Sequence, residues 1–225
     1  MFLALAVSFA SDSLAARWQQ AAKHTSDSLT ADWQSAQAAL REGRYQEAEA
    51  AYRRILAIDS TLAQAHANLG FALHLQRKYG DAVAAFENAL RLQPSLPAPQ
   101  LFHGIGLFNL NRPKESRARL EKYVALVPND PQGHYYLGLT HAAQGETDQA
   151  RESFEMAAQL APRDVDILYH LAQTYIALAN RIAQRVAQHN PKLPLLRAQD
   201  TSLSELVRQA PGESHERETL ERLRP

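Results

Sequence analysis

Apolar residues recur three and four positions apart through most of this 225-residue chain, and this is the spacing of one face of an α-helix. The segment from Ala63 to about Gln76 shows the spacing, and so does the segment from Gly80 to about Leu92. Each pattern predicts an amphipathic helix whose apolar stripe packs on its neighbours. Because only a few residues separate the two segments, they predict a pair of antiparallel helices.

The pattern recurs every 34 residues without an insertion or deletion, with repeats that begin at Leu29, Ala63, Pro97, Pro131 and Val165. Position 8 is small in all five copies, position 20 is small and position 24 large in four, and position 32 is proline in three. Position 8 is occupied by Ala36, Gly70, Gly104, Gly138 and Ala172, and position 20 by Ala48, Ala82, Ser116 and Ala150. Position 24 is occupied by Tyr52, Phe86, Leu120 and Phe154. Position 32 is occupied by Pro94, Pro128 and Pro162, with Ser60 in the first copy. A fixed period of this length predicts stacked structural repeats.

Small, small, large and proline residues at these offsets resemble the tetratricopeptide repeat (TPR), a helix–turn–helix unit that stacks into a solenoid. The resemblance covers about residues 29–190, and the compact, alanine-rich copies are similar to those of bacterial members. It implies an all-α fold, a right-handed α-solenoid of stacked antiparallel helix pairs with four full repeats and a degenerate fifth, capping repeat. It also implies protein binding rather than catalysis.

Position 15 falls between the two helices of each repeat and is occupied by Gly43, Arg77, Asn111 and Gly145. A left-handed residue at this point ends a helix, and glycine adopts that conformation at low cost. The prolines at position 32 follow the second helix and prevent its continuation. The turn chemistry therefore agrees with the helix–turn–helix prediction.

The fifth repeat and the tail depart from the pattern. No glycine stands in the turn region directly after Asn180, and Gln184 replaces the small residue at position 20. Two alternatives are open for residues 180–189, which either form a shortened second helix or continue the first. We predict a tail over residues 191–225 that is partly disordered and contains one short helix near residues 202–209.

Residues 1–28 precede the repeats. The short apolar run from Phe2 to Ala10 resembles the hydrophobic part of a secretory signal, although no Lys or Arg precedes it. The alternative is an amphipathic N-terminal helix that continues through Trp18 to Ala22. The sequence therefore leaves periplasmic or exported and cytoplasmic locations equally open. It contains no apolar stretch long enough for an integral membrane segment.

Charge and composition narrow the function classes. The chain has 24 Lys and Arg residues against 24 Asp and Glu, so its electrostatics do not favour nucleic acid as a partner. It has no cysteine, which excludes disulfides, thiolate metal sites and cysteine nucleophiles. The sequence has no His-Glu-x-x-His motif, phosphate loop, nucleophile elbow or EF-hand loop, and the glycine pair Gly104 and Gly106 lacks the third glycine of a dinucleotide site. We predict neither a catalytic residue nor a cofactor.

Nine histidines raise the question of a metal site. No two of them stand four residues apart, the spacing that brings two imidazoles to one helical face. We therefore predict packing or surface roles and no metal. The sequence leaves open whether His66, His134 and His170 converge in three dimensions.

In TPR proteins, positions 2, 5, 9, 12 and 13 of the first helix line the concave face, and the resemblance implies the same role here. The centre of this face is apolar and aromatic, which predicts a groove for an apolar peptide or an amphipathic helix. The alternative is that the same rings pack as core between neighbouring helices. The candidate partner-binding residues are Trp33, Phe71, Leu101, Ile105, Phe108, Tyr135, Leu139 and Tyr169.

Two ligand modes of the family are disfavoured. The carboxylate clamp needs Lys or Arg at set positions, and Trp33, Ala98 and Phe102 stand there instead. An asparagine ladder that holds a peptide backbone needs asparagine at position 6 of successive repeats, and Asn68 is the single match. The resemblance thus implies peptide binding without either device.

We therefore expect a non-catalytic scaffold that binds a protein or peptide on its concave face, in envelope or secretion-related assembly. One alternative is the substrate-recruiting arm of a larger or truncated enzyme, such as a glycosyltransferase. Another is a self-associating homo-oligomer that uses the N-terminal segment or the fifth repeat. The partner is not identified by the sequence, because solenoid grooves vary on one scaffold.

Overall fold

The computed structural model of this chain describes residues 28–189, and all regular structure in that range is α-helical. Helix α1 comprises residues 28–41. The helices that follow are α2 (Tyr45–Ile58), α3 (Ala63–Leu75), α4 (Tyr79–Leu92), α5 (Pro97–Asn109), α6 (Pro113–Leu126), α7 (Pro131–Ala143), α8 (Thr147–Leu160) and α9 (Val165–His189). The expected signal or amphipathic N-terminal helix and the expected tail helix lie outside these residues.

Helices α3, α5, α7 and α9 begin at Ala63, Pro97, Pro131 and Val165, which are the repeat starts. Consecutive helices pack against each other, and odd-numbered helices also contact the next odd-numbered helix, from α3 to α9. The even-numbered helices do not approach one another to the same extent. The stack therefore curves with its odd-numbered helices on the concave side, and the all-α solenoid prediction is confirmed. Between residues 28 and 189, no helix is both long and apolar enough to cross a membrane.

Position 15 adopts a left-handed backbone in all four full repeats. The φ angles are 76° at Gly43, 60° at Arg77, 57° at Asn111 and 74° at Gly145. The amide of the next residue donates to the carbonyl five positions earlier, at N–O distances of 2.8 to 3.0 Å. This bond is typical of a Schellman ending, which satisfies carbonyls that the helix leaves free. The turn requires the conformation even where no glycine supplies it.

Position 8 is small because of the side chain at position 24 of the same repeat. A Cβ atom on Gly70 would lie 2.6 Å from the ring of Phe86, and one on Gly138 would lie 2.7 Å from the ring of Phe154. The nearest atoms thus belong to a side chain and not to the backbone of the partner helix.

The rings at position 24 join successive repeats. Phe86 lies 6.4 Å from Phe102 in the next repeat, and Phe154 lies 5.7 Å from His170, measured between ring centroids. Both phenylalanines are at most 1% exposed. Burying such a ring stabilises the fold by about 1.5–3 kcal/mol, so each repeat depends on its neighbour.

Helix α9 resolves the alternatives for the fifth repeat, because it runs as one helix from Val165 to His189. Ala179 stands at position 15, where the other repeats turn, and the helix passes through it. Within residues 28–189, no second helix of the fifth repeat therefore covers α9. Position 11 is buried at Leu73 and Leu107, whereas its counterpart Tyr175 is 47% exposed.

Candidate functional site

The structure divides the eight predicted partner-binding residues into two groups. Leu101, Ile105 and Tyr135 are buried, with exposures of 0%, 1% and 6%. Helices α5 and α7 have odd-numbered neighbours on both sides, so these side chains are covered and form core instead of a contact surface. The half-buried residues that keep some exposure are Trp33, Phe71, Phe108, Leu139 and Tyr169.

The five half-buried residues differ in how they meet the core. Trp33, Phe71 and Leu139 pack against the main core cluster, and the Phe71 ring lies 5.1 and 5.0 Å from two buried phenylalanine rings. Phe108 and Tyr169 lie outside that cluster. Their substitution therefore tests partner binding with the least disturbance of packing.

The concave face carries little charge. Among its positions 2, 5, 9, 12 and 13, only Arg41 and Asp166 are formally charged, and Asp166 is 8% exposed. Ion pairs such as Lys78 with Glu49, at 2.9 Å, lie outside these positions. A face with so few charges compensates little of the desolvation cost of a charged ligand.

Asn68, the one residue that matches the asparagine ladder, forms hydrogen bonds inside the protein. Its amide nitrogen donates to the hydroxyl of Tyr52 at 3.1 Å, and its amide oxygen accepts from Gln64 at 3.1 Å. The side chain is 2% exposed. It therefore fixes helix packing and does not reach into the groove.

The histidines have structural partners. The Nε2 atoms of His66 and His134 donate to backbone carbonyls at position 32 of the preceding repeat, at 3.0 and 2.9 Å. His170 instead stacks on Phe154 with an angle of 16° between the rings, and burial lowers its pKa. Within residues 28–189, no three His, Cys, Asp or Glu side chains are placed to hold a metal ion. The three histidines thus do not form a metal centre in this range.

His103 is a polar side chain buried in the core. It is 3% exposed, and its Nδ1 atom makes no hydrogen bond within the described part of the chain. Burial, and secondarily the nearby cations Arg119 and Arg112, lower its pKa to about 4. Leucine occupies the same position 7 in the second, fourth and fifth repeats. The ring therefore stays neutral at a buried position that holds leucine in three other repeats.

Sequence reasoning missed two depressions in the described surface. One measures about 450 Å³ and lies among α2, α3 and α4, with Arg53 and Asp81 in its lining. The other measures about 210 Å³ and lies where α7, α8 and α9 meet. Ala142 and Gln173, from concave positions 12 and 9, help to line the second, so that pocket opens beside the groove. The second lies beside Ala142 and Thr147, which are smaller than the residues at the same positions of the first two repeats, a difference that a consensus pattern does not show.

These features define an α-solenoid with a largely uncharged concave groove, a class of fold that typically serves as a non-catalytic interaction module. Two sequence models of the tetratricopeptide repeat match the chain, one over residues 11–63 and 103–165 and the other over residues 63–96. The chain therefore belongs to the tetratricopeptide-repeat family, as predicted. No curated protein sequence is similar enough to count as a match.

Solved structures show the same fold. MamA from Desulfovibrio magneticus RS-1 is 23% identical with a TM-score of 0.66, over 81% of this chain and 96% of that one. YrrB, described as a TPR protein with an unusual peptide-binding site, is 24% identical with a TM-score of 0.61, over 78% and 89%. The first TPR domain of Spaghetti (RPAP3), bound to the HSP90 peptide SRMEEVD, is 21% identical with a TM-score of 0.51, over 54% and 96%. At these identities the likeness concerns the fold.

Proposed function

We propose that this chain is a non-catalytic adaptor whose concave face binds an uncharged, largely apolar peptide or amphipathic helix. The observation that carries the proposal is the row of half-buried apolar residues Phe71, Phe108, Leu139 and Tyr169 on a face almost without charge. Contiguous apolar surface on a folded protein usually marks a binding site. A peptide laid along such a groove gains affinity from a few side-chain anchors.

Peptide binding by proteins of the same fold supports this proposal. YrrB is described as having a peptide-binding site, and the RPAP3 domain holds the peptide SRMEEVD. That peptide contains two glutamates and an aspartate, whereas the concave positions here include one cation, Arg41. The partner of this chain therefore differs in chemistry from an acidic tail.

A phage-displayed peptide library selected on the full chain tests the proposal even while the partner is unidentified. We expect enrichment of sequences with few charged residues. Binding of a labelled peptide from that set should weaken about 30-fold in Phe108→Ala, since loss of an interface anchor costs about 2 kcal/mol. Tyr169→Ala should act in the same direction.

Leu126→Ala is the matched control, because Leu126 is 47% exposed at the end of α6, on the other side of the solenoid. It should leave the peptide affinity unchanged. The proposal is wrong if no peptide is enriched, or if Phe108→Ala and Tyr169→Ala bind as tightly as the control.

Self-association through α9 is a second candidate, favoured by the large apolar residues that this helix exposes. Val165, Tyr175 and Ile182 are 65%, 47% and 59% exposed, although all three are large and apolar. A second copy of the chain that packs on α9 would bury these side chains. It would take the place that the second helix occupies in a full repeat.

Sedimentation velocity over a concentration series tests this candidate. We expect the wild-type chain to associate and Ile182→Glu to remain monomeric, because a charge on the buried contact is costly. A wild-type chain that stays monomeric up to several hundred micromolar would exclude self-association as its function.

A further inference from the structure

The pocket at the junction of α7, α8 and α9 has a volume of about 210 Å³. Phe154 of α8 and His170 of α9 stack on each other with ring centroids 5.7 Å apart and together form the aromatic side of the pocket. The lining also includes Ala142, Thr147, Gln173 and Ala177.

The repeat symmetry explains why the pocket is empty of side chains. In the second repeat, positions 12 and 17 hold His74 and Tyr79, whose rings lie 5.2 Å apart. His74 also lies 5.2 Å from Phe102, which is the counterpart of His170. In the first repeat these positions hold Leu40 and Tyr45, and in the third repeat position 12 is Phe108.

The fourth repeat has Ala142 and Thr147 at positions 12 and 17. These are smaller than their counterparts in the first and second repeats, so space that the chain fills elsewhere is open at this junction. The pocket is thus a local loss of two side chains within an otherwise filled pattern. A ligand group with the size and chemistry of those side chains would restore the packing.

Volume and charge indicate what that group is. An apolar cavity of about 150 Å³ accepts benzene, so a pocket of about 210 Å³ accommodates a substituted aromatic ring. None of the lining residues is an acid, lysine or arginine, and burial lowers the pKa of His170, so the ring faces no net charge. The Gln173 amide nitrogen donates to the hydroxyl of Tyr169 at 3.0 Å, which leaves its oxygen to accept from a ligand.

We propose that this pocket receives one uncharged aromatic side chain, a tyrosine or tryptophan, of the peptide that lies on the concave face. The proposal rests on the proposed function, because Ala142, Gln173 and Ala177 belong to concave positions 12, 9 and 13. The aromatic side chain stands where His74 and Tyr79 stand in the second repeat.

Side-chain analogues test the pocket directly. We expect p-cresol and indole, titrated into the isotope-labelled full chain, to shift backbone amide NMR signals near Thr147, Gln173 and Ala177. Butylammonium and acetate, which carry charge, should not produce these shifts. The proposal is overturned if neither ring shifts those signals.

A filled pocket provides the matched variant. Ala142→His with Thr147→Tyr reproduces the second repeat, and Ala142→Phe reproduces position 12 of the third, so one variant remains if the other fails to fold. Each should retain its helical content while the signal shifts caused by p-cresol and indole disappear. Unchanged shifts in a folded, filled variant would show that the rings bind elsewhere.

Two readouts separate this proposal from the function on which it rests. A library peptide with an aromatic residue should bind the filled variant about tenfold more weakly, as expected for loss of one anchor. If Phe108→Ala weakens that peptide and the filled variant does not, the pocket proposal fails alone. If the ring probes bind the pocket but Phe108→Ala and Tyr169→Ala leave peptide affinity unchanged, the groove fails and the pocket stands.

Discussion

Replacement of Gly138 by alanine tests whether the ring at position 24 dictates the small residue at position 8. The added Cβ atom would lie 2.7 Å from two ring carbons of Phe154, well inside the optimal carbon separation of about 3.5–4.0 Å. Helices α7 and α8 must separate, or the ring must move. Overpacking of this kind costs about 1–3 kcal/mol, while alanine returns about 1 kcal/mol of helix propensity. The first repeat already pairs Ala36 with Tyr52, both fully buried, so the helices can adjust. We therefore expect a net loss of about 1 kcal/mol.

Gly80→Ala is the matched control, because Gly80 lies in α4 and a Cβ atom there would meet nothing within 4 Å. It should stabilise the protein by about 0.5–1 kcal/mol through helix propensity alone. Urea unfolding followed by circular dichroism should then separate the two variants by about 1.5–2 kcal/mol in the free energy of unfolding.

A double-mutant cycle identifies the contact. In a Phe154→Ala background the ring is absent, and Gly138→Ala should become neutral or stabilising, with a coupling of about 1–3 kcal/mol. The explanation fails if Gly138→Ala stabilises as much as Gly80→Ala. It also fails if the cost persists after Phe154 is removed.

Two further substitutions test the turn and the core. Gly145→Ala should lower the free energy of unfolding in urea by about 1 kcal/mol. The φ angle of 74° at this position strains a residue with a Cβ atom, although that atom would meet no other atom within 4 Å. Gly145→Asn should cost less, because asparagine tolerates the left-handed conformation better than alanine. His103→Leu should stabilise by about 1–3 kcal/mol, since it removes a buried nitrogen without a partner in the described structure. Burial lowers the pKa of His103 to about 4, below the ordinary value of 6.5, so the unfolded chain binds a proton first as pH falls and the native state loses stability. Between pH 7 and pH 5, His103→Leu should therefore lose about 1–2 kcal/mol less stability than the wild-type chain. An equal loss in both proteins would contradict the lowered pKa of His103.

The helices could be predicted from the sequence because each repeat carries its own signals. A helix was expected from Ala63 to about Gln76 and runs from Ala63 to Leu75. The left-handed turn at Arg77 could be predicted from its position in the repeat, because the three other full repeats carry glycine or asparagine at position 15. Local sterics and a fixed period thus determine the scaffold.

Exposure on the concave face could not be predicted in the same way. Leu101 and Phe108 stand on one helix, yet Leu101 is fully buried and Phe108 is half-buried. The difference depends on the neighbouring helices, which the repeat register does not specify. The pocket beside Ala142 escaped prediction for a related reason, since it is set by side chains that this repeat lacks.

Within residues 28–189, helix α9 has packed helices on one side only, whereas each inner helix of the solenoid is held by neighbours on both sides. Its buried residues are Asp166, Ile167 and Thr174, so no residue in its second half is fully buried. Amide hydrogen exchange should therefore be fastest there and slow towards α5, as the array frays from this end. A partner seated at the α8–α9 junction would slow that exchange and extend the cooperatively folded unit by one helix.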